Sequence, residues 1–287
     1  MLGAIIGDVV GSRYEFKNNR SKLFVLLSKA CRFTDDSVLT IAVAKTLLDN
    51  YPIDYSDKGL EKIKKELINN VIDFVSRYPD RGYGMRFFSW ATSMGKHEPY
   101  NSYGNGSAMR VSPVGWLANS IEEVKTLAKL TAEITHNHPE GIKGAEAIAL
   151  CIFLARQGKT KEEIKEYIYE KYYPELDYFN YEELKKTNEF NETCQGSVPE
   201  AIYCFLISKN FEDAIKTAIS IGGDSDTIAC MAGSIAEAYY KNDEGLPQII
   251  NDFDEKQYLP KEYVEIVNRF LDAVGNKEVR LTFKGSN

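Results

Sequence analysis

Residues 219–240 read ISIGGDSDTIACMAGSIAEAYY, and they place two aspartates, Asp224 and Asp226, at the head of an otherwise apolar segment. The apolar residues that follow recur with helical spacing and predict a helix over 227–241. A carboxylate in such surroundings is costly to bury unless a hydrogen bond or a cation compensates its charge. The aspartates therefore indicate the N-terminal cap of a buried helix, part of a cation site, or both.

Helical spacing continues along most of the chain. Residues 59–78, GLEKIKKELINNVIDFVSRY, place their apolar side chains on one stripe and their lysines and glutamates on other faces. Further helices are predicted over 37–49, 121–134, 142–156, 161–172, 199–208, 211–220 and 261–274, and only KLFVLL (22–27) and EVRLTF (278–283) resemble strands. The pattern predicts an all-α fold, a single compact orthogonal bundle of about ten helices in one domain over residues 1–287.

One segment breaks the helical rhythm. Residues 172–193, YYPELDYFNYEELKKTNEFNET, are polar and rich in tyrosine. We expect this segment to be a surface excursion, and because long loops often carry function, its aromatic side chains are candidates for lining a site.

Composition excludes several classes of protein. Hydrophobic residues make up 44% of the chain and aromatic residues 12%, which is too rich for a disordered protein. A net charge of -7 argues against nucleic acid or an anionic membrane as the main partner. The N-terminal residues have no signal-peptide pattern, no stretch is long and apolar enough to span a bilayer, and the five cysteines lack metal-site or disulfide spacing. We therefore expect a cytoplasmic protein with reduced thiols, and a monomer because no coiled-coil pattern is present.

A second acidic cluster precedes another predicted helix. The segment RFTDDSVLT contains Thr34, Asp35 and Asp36, and it resembles the group formed by Asp224, Asp226 and Thr227. One alternative is two independently capped helices, since Asp and Thr are favoured at helix N-termini. The other is that the two helix starts converge, so that six oxygen-bearing side chains bind one or two divalent cations such as Mg²⁺ or Mn²⁺. Gly222 and Gly223 would allow the backbone to turn tightly into such a site.

Five segments in order carry a wider resemblance. They are GAIIGDVVGSRYEF, RFTDDSVLT, YGNGSAMRVSPVG, THNHPEGIKGAEA and a long run from SVPEAIYCFL to SIAEAYY, and they extend from residue 1 to about 240. Their combination resembles the ADP-ribosylglycohydrolase family. The resemblance implies an all-α fold with a dinuclear Mg²⁺ or Mn²⁺ centre in a cleft, and cleavage of the bond between ADP-ribose and a modified side chain such as arginine or serine.

The resemblance also assigns roles to residues near the clusters. Its metal ligands fall on Thr34, Asp35, Asp36, Asp224, Asp226 and Thr227. Asp35 and Asp226 are implied to lie closest to the cations, and Glu15 in GSRYEF is the candidate for proton transfer at the scissile bond. For Asp8 in IIGDVVG, a helix-interior or capping carboxylate is the favoured interpretation.

Substrate-binding residues are expected in three further segments. Gly104, Asn105, Gly106 and Ser107 form a small-residue loop that would let the backbone approach a pyrophosphate. His136 and His138 are two residues apart, which disfavours a shared zinc site on a helix, and one of them is expected to reach the ligand. Tyr83, between two glycines, is either a wall of the adenine or ribose pocket or part of a turn before a core helix.

The chemistry expected is metal-assisted hydrolysis of a glycosidic bond through an oxocarbenium-like transition state. Its substrate would be an ADP-ribosylated protein or a small ADP-ribosyl compound. Two other functions use the same residues: a dinuclear hydrolase of phosphoesters, and a protein that binds ADP-ribose without cleaving it.

Overall fold

The computed structural model describes residues 1–275 and 279–284. These residues form fifteen α-helices, which are α1 (Leu2–Gly11), α2 (Asp35–Asp49), α3 (Asp57–Arg77), α4 (Met85–Thr92), α5 (Gly106–Met109), α6 (Ser112–Leu117), α7 (Ile121–Glu133), α8 (Pro139–Arg156), α9 (Lys161–Lys171), α10 (Tyr181–Thr187), α11 (Val198–Ile207), α12 (Phe211–Ser220), α13 (Ser225–Tyr239), α14 (Leu246–Lys256) and α15 (Lys261–Ala273). Two short 3₁₀ helices cover Pro174–Asp177 and Cys194–Gly196. Within the described ranges there is no strand, and a single isolated β-bridge joins Gly104 to Thr193.

The all-α prediction is confirmed, and the helices predicted from periodicity are found with ends that differ by a few residues. The strand interpretation of 22–27 is wrong, as is that of 279–283; residue 278 lies outside the described residues. Five α-helices more than expected are present. The additional helix α1 is buried on every face and so has no polar stripe to reveal it, whereas α5 and α6 are too short for periodicity to show.

The helices α1 and α13 pack with their backbones almost in contact. A Cβ atom on Gly7 would lie 2.1 Å from the carbonyl oxygen of Ala229, and one on Gly11 would lie 2.4 Å from Cα of Asp226. Only glycine leaves enough room for this approach, since real Cβ contacts are not shorter than 3.0 Å. The close packing brings Asp8, on the last turns of α1, beside the N-terminus of α13.

Other helices surround this pair. α13 is buried along nearly its whole length and also contacts α8, α11 and α12, while α2 packs against α1, α3 and α15. Buried apolar side chains from Met1 to Leu281 form one contiguous cluster, which favours the single-domain prediction. Among the described helices none is both long and apolar enough to cross a membrane. The fold thus directs the starts of α2 and α13 toward the same end of α1.

Candidate metal and substrate site

The two acidic helix starts do not cap their own helices with side chains. Six other helices are capped by a side chain that accepts a hydrogen bond from the first turn, namely those preceded by Ser56, Ser120, His138, Thr160, Asn180 and Asn210. Thr34 and Asp224 occupy the N-cap positions of α2 and α13 but make no such bond. Their oxygens are directed elsewhere, so independent capping does not explain the two clusters.

Asp8 supplies the cap that α2 lacks. Its carboxylate accepts hydrogen bonds from the backbone N–H groups of Thr34 (3.0 Å) and Ser37 (3.1 Å) and from both of their hydroxyls, that of Thr34 at 2.5 Å. The residue lies inside α1 and caps α2 from across the helix interface, which agrees with a helix-interior, capping carboxylate. The four hydrogen bonds fix the first turn of α2 relative to α1.

Three aspartates meet where the helices converge. Asp8, Asp36 and Asp226 are buried, and one carboxylate oxygen of each lies within 4.8 Å of the others. Asp36 Oδ2 accepts a hydrogen bond from the Thr227 hydroxyl (3.3 Å) and lies 3.5 Å from the Thr34 hydroxyl oxygen, whose proton is donated to Asp8. Its other oxygen, Oδ1, is buried and has no hydrogen-bond partner among the described residues. Such an oxygen is costly unless a cation binds it, and the oxygen-only donor set fits Mg²⁺ or Mn²⁺.

Burial perturbs the carboxyls of Asp8 and of the two acidic helix starts. Burial raises the pKa of Asp8 and Asp224, and it raises the pKa of Asp35, Asp36 and Asp226 well above the usual value. Neighbouring carboxylates add to the effect at the last three residues, with Asp8 the largest such contribution at Asp35 and Asp36. A divalent cation bound among these carboxyls would relieve that repulsion.

Four of these aspartates, Asp35, Asp36, Asp224 and Asp226, line a cleft of about 350 Å³. Of the predicted site residues, those that line the cleft are Glu15, Asp35, Asp36, Gly104, Asn105, Gly106, His136, Asp224, Asp226 and Thr227. Thr34 lies behind the lining, with its hydroxyl between Asp8 and Asp36. The structure therefore brings together residues that are about 190 positions apart in the chain, in a cavity large enough for a small ligand.

Glu15 lies in the turn that follows α1. The side-chain amide of Asn18 donates to the carbonyl oxygens of Glu15 (3.3 Å) and Gly223 (2.9 Å), and its oxygen accepts from Gly223 N–H (3.0 Å). These bonds join the Glu15 turn to the loop before α13, where Gly222 and Gly223 both adopt positive φ. Burial, followed by the charge of Asp224, raises the pKa of Glu15 to about 7.

The small-residue loop is held against the acidic start of α13. Asn105 Nδ2 donates to Asp224 Oδ2 at 2.8 Å, and its backbone N–H donates to the carbonyl oxygen of Glu192 at 2.7 Å. Ser107 is the exception among the four loop residues, because it is fully buried, does not line the cleft, and donates its hydroxyl to the carbonyl oxygen of Gly141 at 2.7 Å. Gly104, Asn105 and Gly106 are thus the loop residues that face the cavity.

The structure separates the two histidines. His136 lines the cleft, whereas His138 is the N-cap of α8, where its Nδ1 accepts a hydrogen bond from Glu140 N–H at 3.1 Å. The His138 ring packs edge-on against Tyr103, with ring centroids 5.3 Å apart. His136 is therefore the histidine placed to reach a ligand, a distinction that the sequence spacing does not contain.

Tyr83 does not line the cleft. Its hydroxyl donates to the carbonyl oxygen of Tyr78 at 2.9 Å, and its ring stacks on Phe87 at a centroid distance of 5.8 Å. The flanking Gly82 and Gly84 line the cavity instead. Tyr83 itself is therefore part of the turn before α4, and its two glycine neighbours form part of the pocket wall.

Further lining residues, among them Arg86, Tyr100, Phe190 and Glu192, are outside the set of predicted site residues. Arg86 lies over the ring of Tyr100, 4.7 Å from its centroid, and both line the cleft. Phe190 and Glu192 come from the tyrosine-rich segment 172–193, so one aromatic side chain of that excursion does line the site. These residues are assembled by tertiary contacts between distant segments.

Fold and site together define a class: an all-α protein with an acidic, cation-compatible cluster beside a small-ligand cleft. The family model for ADP-ribosylglycohydrolases matches residues 1–278, and the chain belongs to that family. The resemblance read from the five sequence segments is confirmed, and with it the assignment of the chain to the glycohydrolase enzymes.

Several characterised proteins are similar over most of their length. The ADP-ribosylhydrolase ARH3 of Homo sapiens is 30% identical, with 85% of each chain covered. The ADP-ribosylarginine hydrolase Tri1 of Pseudomonas putida is 25% identical over 94% of this chain and 77% of its own. A solved structure titled an ADP-ribosylglycohydrolase-related protein complex superposes with a TM-score of 0.66 at 20% identity, covering 97% of this chain and 95% of that one, and so shares the fold.

Proposed function

We propose that this enzyme removes ADP-ribose from protein side chains modified through arginine or serine, or from small ADP-ribosyl compounds, with two divalent cations, Mg²⁺ or Mn²⁺. The observation that carries the proposal is the buried Asp36 Oδ1, which has no hydrogen-bond partner among the described residues and lies in a cluster of aspartates beside the cleft. Family membership and the names of the similar hydrolases support the ADP-ribosyl substrate.

The proposed cation ligands are Thr34, Asp35, Asp36, Asp224, Asp226 and Thr227. Asp8 acts beneath them, where it fixes the first turn of α2 and adds negative charge. When bound, the cations would orient the ribose hydroxyls and lower the pKa of the attacking water. The chain contributes the fixed arrangement of oxygens, which the tight packing of α1 on α13 holds in place.

The remaining lining residues provide a place for the rest of the substrate. Gly104, Asn105 and Gly106 present backbone and small side chains beside His136, which suits a pyrophosphate, and Ser107 supports this loop from behind through Gly141. Tyr83 likewise orients the glycines beside it from behind. The ring of Phe190, which lines the cleft and is 45% exposed, suits the flat adenine ring.

Proton transfer is assigned to Glu15. The residue is partly exposed in the cleft, on the side of Asp224, and its turn is fixed by Asn18. A carboxyl group with a pKa near neutrality exchanges protons readily at the pH of most cells. We therefore place Glu15 where it transfers the proton during cleavage of the bond to C1 of the ribose.

A substrate panel tests the proposal. Purified protein is incubated with ADP-ribosyl-arginine peptides, ADP-ribosyl-serine peptides and a generic phosphodiester, each with Mg²⁺, Mn²⁺ or excess EDTA. We expect release of ADP-ribose from at least one peptide, only with a cation, and no phosphodiester cleavage. Cleavage of the phosphodiester alone would identify a phosphoester hydrolase instead, and binding of ADP-ribose without turnover would identify a reader. Full activity in EDTA would refute the cation requirement.

The role of Glu15 has a separate test with a matched control. Glu15→Gln keeps the size of the side chain and removes its proton-transfer capacity, so kcat is expected to fall by about 10²–10⁴-fold with little change in KM. Glu189→Gln, an exposed glutamate that does not line the cleft, is expected to keep wild-type kinetics. Equal kcat values for Glu15→Gln and the wild type would contradict the assignment.

A further inference from the structure

A buried hydrogen-bond chain ends at His136. Arg110, which is fully buried, donates from Nη2 to the hydroxyl oxygen of Thr135 at 2.9 Å and to the carbonyl oxygen of Thr131 at 2.8 Å. The Thr135 hydroxyl oxygen lies 2.7 Å from His136 Nδ1. The chain therefore runs from the Arg110 guanidinium through one hydroxyl to one nitrogen of the imidazole ring.

The direction of the hydrogen bond between Thr135 and His136 follows from which of the neighbouring atoms can donate and which can accept. The Thr135 side chain is fully buried, so its hydroxyl proton needs an acceptor inside the protein. Arginine only donates, so it cannot accept that proton. Of the two side-chain atoms that bond this hydroxyl in the described chain, only His136 Nδ1 is able to accept. Thr135 therefore donates to Nδ1, and Nδ1 carries no proton.

The other ring nitrogen lies against the small-residue loop of the cleft. His136 is only 4% exposed and lines the cleft. Its Nε2 lies 3.1 Å from the position of a Cβ atom built on Gly106 and 3.5 Å from one built on Gly104. Nε2 has no hydrogen-bond partner within the described parts of the chain, in contrast to Nδ1. Nε2 therefore contacts the same loop that would bind the proposed pyrophosphate.

We infer that Arg110 and Thr135 are positioning residues that hold His136 as the neutral tautomer protonated on Nε2, so that His136 donates a hydrogen bond to an anionic oxygen of the ligand. Under the proposed function, on which the ligand assignment depends, that oxygen belongs to the pyrophosphate of ADP-ribose. His136 is then a binding group and takes no part in proton transfer.

The electrostatic surroundings agree with a neutral ring. Burial, with a contribution from the positive charge of Arg110, lowers the pKa of His136 well below its usual value. The Tyr100 ring, whose centroid is 6.2 Å from that of His136, packs against it as well. A protonated ring would also place two donors, Nδ1–H and the Thr135 hydroxyl, against each other.

Nuclear magnetic resonance of ¹⁵N-histidine-labelled protein reads the tautomer directly. The chain has only three histidines, so His97→Gln and His138→Asn identify two signals and leave that of His136. We expect the His136 signal to show a protonated Nε2 and an unprotonated Nδ1, unchanged from pH 5.5 to pH 8. A proton on Nδ1, or a protonation step within that range, would overturn the inference.

Substitutions at Thr135 test the positioning role. Thr135→Val removes the donor to Nδ1; we expect a mixture of tautomers in the NMR signal and ADP-ribose affinity, measured by calorimetry with Mg²⁺, lowered about threefold to tenfold. Thr135→Ser keeps the hydroxyl and should restore both readouts. Thr131→Val is the matched control, since Thr131 is also buried but contacts Arg110 through its backbone carbonyl. A wild-type tautomer and affinity in Thr135→Val would refute the positioning role.

The outcomes separate this inference from the proposed function. The tautomer of the wild-type protein is read without substrate, and the Thr135→Ser spectrum tests the chain even where Thr135→Val fails to fold. Absence of ADP-ribose release from every substrate would reject the proposed hydrolysis and leave the tautomer result standing. A protonated Nδ1 would reject the inference and leave the hydrolysis unaffected.

Discussion

Removal of one negative charge from the aspartate cluster should stabilise the protein when no cation is bound. In the wild type, Asp226 Oδ1 accepts a hydrogen bond from Thr227 N–H at 3.1 Å. Asp226→Asn keeps an acceptor oxygen for this bond and removes the charge. In the wild type, oxygens of Asp8, Asp36 and Asp226 lie within 4.8 Å of one another. The substitution therefore relieves two close repulsions at once.

The magnitude follows from that spacing. Two unit charges 4.8 Å apart repel by about 3.5 kcal/mol at an effective dielectric constant of about 20, or about 7 kcal/mol for the two pairs. Proton uptake by the cluster limits the destabilisation caused by this repulsion, because protonation of an ordinary carboxyl at pH 7 costs only about 4 kcal/mol. We expect Asp226→Asn to raise the free energy of unfolding in EDTA by about 2–4 kcal/mol, or the Tm by about 3–7 °C.

Cations should reverse the order of stability. A cation at one thousand times its Kd stabilises the folded wild type by about 4.1 kcal/mol, whereas the variant, which has lost a proposed ligand, should gain little. Thermal unfolding is measured by circular dichroism at pH 7.5 in EDTA and in a Mn²⁺ series. Asp73→Asn is the control, because Asp73 is exposed on α3, where it pairs with Arg77 at 2.6 Å; it should shift stability by less than about 0.5 kcal/mol in either buffer.

Two results would refute the reasoning. If Asp226→Asn were less stable than the wild type in EDTA, the cluster would not be under electrostatic strain in the cation-free protein. If both proteins gained the same Tm from Mn²⁺, the cation would bind at a place that does not include Asp226.

Two further predictions concern the fold around the site. Gly7→Ala places a Cβ atom 2.1 Å from Ala229 O, so the α1 and α13 backbones must separate by about 1 Å; we expect a loss of about 1–3 kcal/mol and a weaker thermal response to Mn²⁺, while Gly245→Ala, whose Cβ would meet nothing closer than 3.5 Å, should change neither. Wild-type stability and Mn²⁺ response in Gly7→Ala would show that the close packing is not required. Burial raises the pKa of Glu200 to about 7, so the stability contributed by the protonated carboxyl is full below its unfolded pKa near 4.5 and is lost as pH rises through 7. The test is urea unfolding of the wild type and of Glu200→Gln at pH 5.5 and pH 8. The free energy of unfolding of Glu200→Gln minus that of the wild type should be about 2 kcal/mol larger at pH 8 than at pH 5.5. The same pH dependence in both proteins would contradict the shifted pKa.

The sequence by itself determines the helices whose two faces differ in polarity. A stripe such as that of α3 is a local property, because the residues that share a helix face are three or four positions apart. The acidic triplets and the glycines at 222 and 223 are local as well, so their chemical character and the tight turn were readable without coordinates. The order of the five family segments is likewise contained in the chain.

Tertiary structure decided which of these residues meet. The position of Asp8 in the cluster depends on the close approach of α1 to α13. Gly7 and Gly11 permit that approach, but no local sequence pattern predicts it. His136 and His138 differ in environment because one faces the cleft and the other accepts a bond from the first turn of α8. A polar side chain can form hydrogen bonds of similar strength with several kinds of partner. Only packing against distant segments determines which partner it meets. The sequence therefore specified the helices and the chemistry available, and the packed structure specified which oxygens and nitrogens share one cavity.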